Sequence, residues 1–561
     1  MAVLFPRYTY TSSSSLGCEV SPSSWHRKPN RKPGVTSAIP PCTAAPMGVS
    51  SNVLDVVSDD VLGLVLDELK TLDFPSVCAS RLVCKALNGL AESRAFGSTL
   101  IDLSAGVKHT AFQIESMASG NGPNSRWTKE LRIRNLVPEE ERGTLLDAQD
   151  RYLIQALESL RKLRSVELNL RKSYPYLAIL SALSNLPHLK DLNLYIDLGF
   201  EDTPLPLDQF SNLRSLILRS FPLHQPIIEI LNRTIRNSQN TLECLDIRPH
   251  DWEEEDGPYD SDQETEETPD PSEVRRLLRI LERPRTVTLG TFTSDEEGCL
   301  SFPKLEELQV NGDRIEFTIA SVPLFKSLVC LAIVNAKVLR VEDGFWDALA
   351  ETKVQLQILE MYPLTSGVVK YLLSYTGLHE LILNAPPSDS FGASDGSSVS
   401  DSDIPRSIFK DVLPHHCDAI HHVSISEYLD VKDYGCTEEN IEGLLTCKKL
   451  EELDLLYHYP VEDEEMQNCT SIGLALLFRI TDNLPKLKRL QLAPACSMSP
   501  YGENSYNVGM NIAYRFADRL CNIDFREGLR FPPFRLYNYG FLRYGSLVYE
   551  PKRGCYAMES E

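Results

Sequence analysis

Asn185-Leu-Pro-His-Leu-Lys-Asp-Leu-Asn-Leu194 is the stretch on which the fold turns. Its apolar positions are Leu189, Leu192 and Leu194, separated by two residues and then by one. The last two alternate with polar side chains, as a half-buried strand requires. Nearly the same words return as Asn483-Leu-Pro-Lys-Leu-Lys-Arg-Leu-Gln-Leu492. Working outward, the pattern recurs at Leu163/Val166/Leu168, Leu213/Leu216/Leu218, Leu242/Leu245/Ile247, Leu305/Leu308/Val310 and Leu328/Leu331/Ile333. It continues at Leu356/Leu359/Met361, Leu378/Leu381/Leu383, Ile420/Val423/Ile425, Leu450/Leu453/Leu455 and Leu487/Leu490/Leu492. Weaker copies surround Leu131/Ile133 and Val287/Leu289.

Neighbouring copies start about 22–29 residues apart, which leaves room for one strand and one helix per copy. The intervening segments carry helical spacing, as in Leu153, Ala156, Leu157, Leu160 and Leu163, in Val274–Leu281 and in Val368–Leu378. Each strand or helix alone leaves an apolar face bare, and stacking neighbours buries it. The expected fold class is therefore α/β: a short N-terminal helical module followed by an irregular leucine-rich repeat solenoid. The two Asn-Leu-Pro phrases resemble those of the divergent leucine-rich arrays common in fungal proteins. The rival, an ordinary α/β domain with leucine-rich strands, accounts poorly for so many copies of one phrase.

The chain has 561 residues, 42% of them hydrophobic and 24% charged, with a net charge of −23. An acidic chain is repelled by phosphate backbones, so nucleic acid is not an expected partner. No apolar run reaches the ~18 residues of a membrane span, and Leu474–Phe478 reads as buried helix ended by Arg479. The 14 cysteines lack paired spacing and no secretory segment precedes them, which points to reduced thiols in a cytoplasmic or nuclear protein. Residues 1–53 are rich in Ser, Pro and basic side chains and read as a disordered tail, with a transit peptide or a start at Met47 as alternatives. The array is expected over 104–496, with unstructured insertions near 252–273 and 386–407, and a C-terminal cap over 497–561. The acidic Trp252–Glu273 insertion reads as solvated charge, with a basic partner as the alternative.

Residues 54–103 form the helical module. Val57–Leu69 reads as an amphipathic helix with Val61, Leu62, Val65, Leu66 and Leu69 in one stripe. Ser58 suits an N-cap, with Asp59 and Asp60 in the first turn. Gly63 is expected to weaken this helix by about 0.5–1 kcal/mol relative to Ala. A second helix is expected after Phe74-Pro75, with Leu82, Val83, Leu87 and Leu90 along one side. Together these helices resemble an F-box. Asp60, Leu62, Val65 and Leu66 follow that family's first phrase, and Arg81, Val83, Cys84 and Lys85 its Arg-x-Val-Cys-Arg/Lys phrase. Val57-Ser58 stands where the family has Leu-Pro, and Leu87 where it has Trp.

The resemblance implies a substrate-recognition subunit of a Skp–cullin–F-box ubiquitin ligase, with no catalytic residue, metal or cofactor of its own. The Skp-type adaptor, and through it a cullin, would dock on Val57, Ser58, Val61, Leu62, Val65, Leu66, Leu69, Leu82, Val83, Cys84 and Leu87. The alternative is a leucine-rich scaffold with no ubiquitin-ligase role, in which these helices only cap the array. Period-2 alternation puts the polar strand residues on one face, where an unidentified protein substrate would bind. They are Glu167, Asn169, Tyr195, Arg219, Asp246, Arg248, Gln309, Asn311, Glu360, Tyr362, Asn384 and Asp454.

Three other patterns carry weaker expectations. His415-His-Cys-Asp-Ala-Ile-His-His422 has zinc-ligand chemistry, but Ile420 opens a repeat strand, so ordinary strand positions are expected for the histidines. The aromatic and basic stretch Phe531–Tyr539 suits a closing cap better than a single-strand stacking platform. The sequence holds no P-loop, no GxSxG elbow, no GxGxxG after a strand and no HExxH.

Overall fold

The computed structural model describes residues 57–102, 107–134, 144–170, 176–196, 205–250, 286–295, 298–299, 302–334, 340–362, 364–383, 403–425, 435–437, 440–457, 466–494, 519, 534–535, 545–550 and 555–560. Met1–Ser58 and Asp59–Glu561 are separate units, and the elements described below belong to the second. The expected tail over 1–53, the helix over Val274–Leu281, the acidic insertion near 252–273 and Asn384 lie outside the described residues.

One sheet of 16 strands, ordered as the chain runs, organises the molecule. Its strands are β1 Ser98–Asp102, β2 Glu130–Arg134, β3 Ser165–Leu170, β4 Asp191–Ile196, β5 Ser215–Phe221, β6 Cys244–Pro249, β7 Glu307–Asn311 and β8 Cys330–Val334. They continue as β9 Ile358–Met361, β10 Glu380–Leu383, β11 His422–Ile425, β12 Glu452–Tyr457, β13 Arg489–Pro494, β14 Phe534–Arg535, β15 Gly545–Glu550 and β16 Cys555–Ser560. Pairing is parallel from β1 to β14, and β14–β15 and β15–β16 are antiparallel. The expected cap over 497–561 thus contributes three strands to the sheet among its described residues.

The repeated phrase sets the register. Its second apolar residue is paired strand to strand: Leu131, Val166, Leu192, Leu216, Leu245, Leu308, Leu331, Leu359, Leu381, Val423, Leu453 and Leu490. All of them are buried. The first apolar residue closes a tight turn before several of the strands, as in the Leu163 N–H to Leu160 carbonyl (2.9 Å) and Leu450 to Cys447 (3.0 Å) bonds. The next residue extends the ladder: Arg164 N–H reaches the Lys129 carbonyl and Lys190 N–H the Arg164 carbonyl, both at 2.7 Å. The sheet runs straight across both long gaps in the repeat, pairing Cys244 with Glu307 and Glu380 with His422.

Helices cover the apolar face. Leu153, Ala156 and Leu157 of the helix Thr144–Ser159, and Ile227, Ile228, Leu231 and Ile235 of Gln225–Ser238, join one core that runs from Ile101 to Leu492. Each Leu buried there stabilises the fold by roughly 1.5–3 kcal/mol before the entropy of ordering is counted. Gly443, in the helix Ile441–Leu445, lets two backbones meet: a side-chain carbon there would lie 1.8 Å from the Phe409 carbonyl oxygen. Among the described residues no helix is long and apolar enough to cross a membrane.

Three expectations need correction. Val287/Leu289 is not a strand of the main sheet: Val287–Thr288 pairs with Ile315–Glu316, and Leu289 opens a short helix. The position that carries the leading leucine in other copies is Pro284 in this one. The insertion expected to be unstructured as far as Ser407 includes a helix, Asp403–Ser407, which leads into buried Ile408, Phe409 and Val412. The second helix of the N-terminal module is two helices, broken over Arg81–Cys84.

Candidate functional site

The N-terminal module consists of α1 Asp59–Leu72, α2 Phe74–Ser80 and α3 Lys85–Ala95. Its core is small and separate from that of the sheet: Leu66, Val77, Ala91 and Ala95, with Leu69, Cys78, Leu90 and Phe96 packed around them. Arg94 ties α3 to α1, donating to the Gly63 carbonyl at 3.2 Å and to Asp67 at 2.8 and 3.3 Å. A side-chain carbon on Gly63 would lie 2.5 Å from this guanidinium. The glycine read as a helix weakness is thus where Arg94 crosses α1. At the break before α3, the Cys84 sulfur accepts the Leu87 N–H (3.5 Å), and Arg81 lies 4.6 Å over the Phe96 ring. Trp127 Nε1 donates to Glu92 (3.2 Å), and the Gly97 carbonyl accepts Lys129 N–H (2.8 Å), so α3 leads directly into the first ladder of the sheet.

The expected adaptor-binding residues divide. Val61, Val65, Leu82 and Val83 are exposed, Leu82 at 89%. Leu62, Leu69, Cys84 and Leu87 are half-buried, and Leu66 is a core residue whose side chain faces the module's interior. Val57 and Ser58 belong to the preceding unit. Leu64, Leu72 and Phe74, absent from the expected set, are exposed alongside Val61 and Val65. Helical spacing puts Leu64 and Leu72 with Val61 and Val65 on one side of α1, offset from Leu66, whereas Phe74 opens α2.

On the sheet, the expected polar strand residues other than Asn384 share one face. Glu167 pairs with Arg132 (3.4 Å) and Arg134 (3.7 Å), and Tyr195 is exposed. Asn169, Gln309, Glu360 and Tyr362 are half-buried there. Asp246 and Asn311 are each 2% exposed, which removes both from the set of contact residues. Asp246 accepts from Arg219 Nε and Nη2 (3.1 and 2.8 Å) and from Arg248 Nε and Nη2 (2.8 and 3.0 Å). Asn311 folds the turn after β7, accepting the Asp313 N–H at 3.1 Å.

A second cluster was missed. Asp454 lies 3.4 Å from Arg489, which also meets Glu452 at 3.1 Å, and 4.0 Å from His422. His422 Nδ1 is 3.5 Å from Glu380. Glu380, His422, Glu452 and Arg489 form one row across β10–β13. They occupy the position just before the second apolar residue, which period-2 alternation puts on the same face as the position after it.

The histidine-rich stretch is dispersed. His416 accepts the Leu378 N–H on Nδ1 (3.1 Å), and its Nε2 lies 3.0 Å from the Leu372 carbonyl oxygen. The ring is therefore the neutral Nε2–H tautomer, and burial lowers its pKa to about 4. His421 stacks on His379 at 5.4 Å, while His422 stands on the sheet face. Among the described residues no three His, Cys, Asp or Glu converge as metal ligands. Burial, with Glu307 beside it, pushes the Cys244 thiol up to about 12 and raises Cys330 as well, so neither is a thiolate at neutral pH. No protein-family model matches the chain, and no curated protein matches it.

Proposed function

We propose that the chain is the substrate-recognition subunit of a Skp–cullin–F-box ubiquitin ligase, with α1–α3 as a divergent F-box and the sheet as a leucine-rich repeat solenoid. One observation carries the reading: the module exposes Val61, Leu64, Val65, Leu72, Phe74, Leu82 and Val83 while keeping a core of its own. So many exposed apolar side chains on one small module mark a protein contact. If the helices served only to cap the sheet's end, their apolar side chains would merge with its core. The strand face supplies the other half of the reading, a fixed array of Arg, Tyr and carboxylate side chains suited to a protein partner. Ubiquitin transfer itself belongs to the partners in this scheme.

The test is reconstitution of the full chain with a purified Skp-type adaptor. We expect a complex that survives gel filtration, and its loss in the double variant Val65→Asp, Leu82→Asp with an unchanged melting profile. No complex with wild-type protein would sink the ligase reading and leave a repeat scaffold. A double variant that melts early would instead assign those residues to the fold.

A further inference from the structure

The residue immediately before each strand follows a pattern of its own along the sheet. It is Lys129, Arg164, Lys190 and Arg214 ahead of β2–β5, then Glu243 and Glu306 ahead of β6 and β7. Backbone bonds hold the four cations in line. The Arg164 N–H reaches the Lys129 carbonyl, that of Lys190 the Arg164 carbonyl and that of Arg214 the Lys190 carbonyl, each at 2.7 Å. The Lys129 N–H is bonded to the Gly97 carbonyl (2.8 Å), so the row starts where the helical module joins the sheet. Strand spacing sets its members ~4.8 Å apart and its ends ~14 Å apart. They alternate in step with the buried leucines, but they precede the first paired residues of the sheet, and Lys129, Arg164 and Lys190 are exposed at its rim.

The turn before β3 adds Arg161 and Lys162, both exposed. Lys162 Nζ lies 4.1 Å over the Trp127 ring, and Lys190 Nζ donates to the Asn212 carbonyl at 3.2 Å. Each ammonium is thus held against the turn of a neighbouring copy, along the rim. Arg214 ends the row, because its Nε and Nη2 grip both oxygens of Asp191 (2.9 and 2.7 Å) and the two charges cancel. Among the described residues Lys129, Arg161 and Arg164 enter no ion pair. Glu130 and Glu158 are the exposed acids nearest to them in the chain. The helices Thr144–Ser159 and Tyr176–Ser184 also end at this rim, each C-terminus worth about −0.5 charge. Set against these, the cations leave a surplus of about two positive charges. They do so on a chain whose net charge is −23.

We propose that the rim carrying Lys129, Arg161, Arg164 and Lys190 docks an extended acidic segment of a partner protein. Alternate residues of an extended chain lie about 6.6–6.8 Å apart on one side, so three carboxylates over five residues span the ~14 Å row. Three negative charges also come close to balancing the surplus. Glu243 and Glu306 set the limit of the site, since they continue the row with the opposite sign. A nucleic acid carries its charge past β5 onto those glutamates, whereas a short acidic segment ends before them. Opposite charge steers the segment to the end of the sheet that adjoins the helical module. Docking here depends neither on the strand face nor on an adaptor.

The experiment uses the full chain and a fluorescent nonapeptide with glutamate at three alternate positions in a Gly/Ser background, beside its glutamine counterpart. The glutamate peptide should bind at least tenfold tighter, and the difference should shrink as salt rises. Arg164→Glu with Lys190→Glu should abolish the preference at an unchanged melting temperature. If that pair melts early, Arg161→Gln with Arg164→Gln, which only neutralises, should still reduce it severalfold. Lys304→Glu with Lys326→Glu, exposed further along the same rim, should leave the preference intact. Arg219→Gln, on the strand face, should leave it intact as well. Equal binding of the two peptides, or wild-type preference in both rim variants, would overturn the proposal. Loss of the preference in Arg219→Gln would move the site to the strand face and equally overturn it. Tighter binding of a dT decamer than of the glutamate peptide would overturn the choice of a protein partner. Val65→Asp with Leu82→Asp, which removes the adaptor in the ligase reading, should leave peptide binding unchanged, so the two readings fail separately.

Discussion

The helical module and the sheet use leucine in opposite ways. In the sheet, twelve consecutive strands bury the same position in register, and each residue is held by neighbours on both sides. Among the described residues of the module the buried hydrophobic core is four residues, and Leu64, Leu72, Phe74 and Leu82 face solvent. The difference separates two kinds of stability. The sheet is stabilised collectively, so local damage is felt by the whole; the module depends on a few contacts and the Arg94 clamp, and opens at lower cost.

Deleting one buried leucine from each region gives the largest expected effect. Leu216→Ala should cost about 3–5 kcal/mol, because its neighbours are fixed by the ladder and cannot collapse into the cavity. Leu66→Ala should cost about 2–3 kcal/mol, and only the module's transition should move. Calorimetry with hydrogen exchange separates them: Leu216→Ala lowers the main transition, and Leu66→Ala speeds exchange in α1–α3 alone. If Leu66→Ala shifts the main transition equally, the two cores are one cooperative unit and the contrast is gone.

A second effect belongs to the sheet side only. His416 ends a chain of aromatic contacts, with Tyr375 at 5.3 Å and His415 at 5.1 Å, and its Nδ1 is committed as an acceptor. Its folded pKa, lowered to about 4, lies below the ordinary value of 6.5, so the unfolded chain binds the extra proton first. The stability this contributes is full above pH 6.5 and is lost as pH falls towards 4, about 3 kcal/mol in all. Urea midpoints measured from pH 7 to 4 should fall with the slope of one added proton, and His416→Gln should remove that slope. An unchanged slope in the variant would place the titrating group elsewhere.

What the sequence made legible follows the same division. The register of β2–β13 could be read from leucines alone, because a spacing of three and then two residues serves only one strand geometry. Facing direction was legible too, but depth was not. Asp246 and Arg248 stand on the same face, yet Asp246 is buried because the guanidinium of Arg219, on the next strand, closes over it. Gly63 was read by helix propensity, while the reason for it lies 31 residues away in Arg94. The Arg81–Cys84 break was hidden because Leu82, Val83, Leu87 and Leu90 also fit one helical stripe. A local pattern shows what alternates; what covers a residue is set by chain far from it in sequence.

The smallest expected effect is the most direct probe of the contrast. Leu64 and Leu72 lie on the outward stripe of α1 and are 70% and 76% exposed. Replacing either by Ser removes little buried area and exchanges a good helix former for a middling one, so the cost should stay below about 0.5 kcal/mol. The same change should cut binding of a hydrophobic dye at the module, because the exposed apolar patch shrinks. A loss above ~1.5 kcal/mol would mean that these leucines are covered in the folded chain, and the module would then resemble the sheet. Near-neutral substitution would establish that α1 presents one apolar stripe to its own core and leaves a second open to solvent.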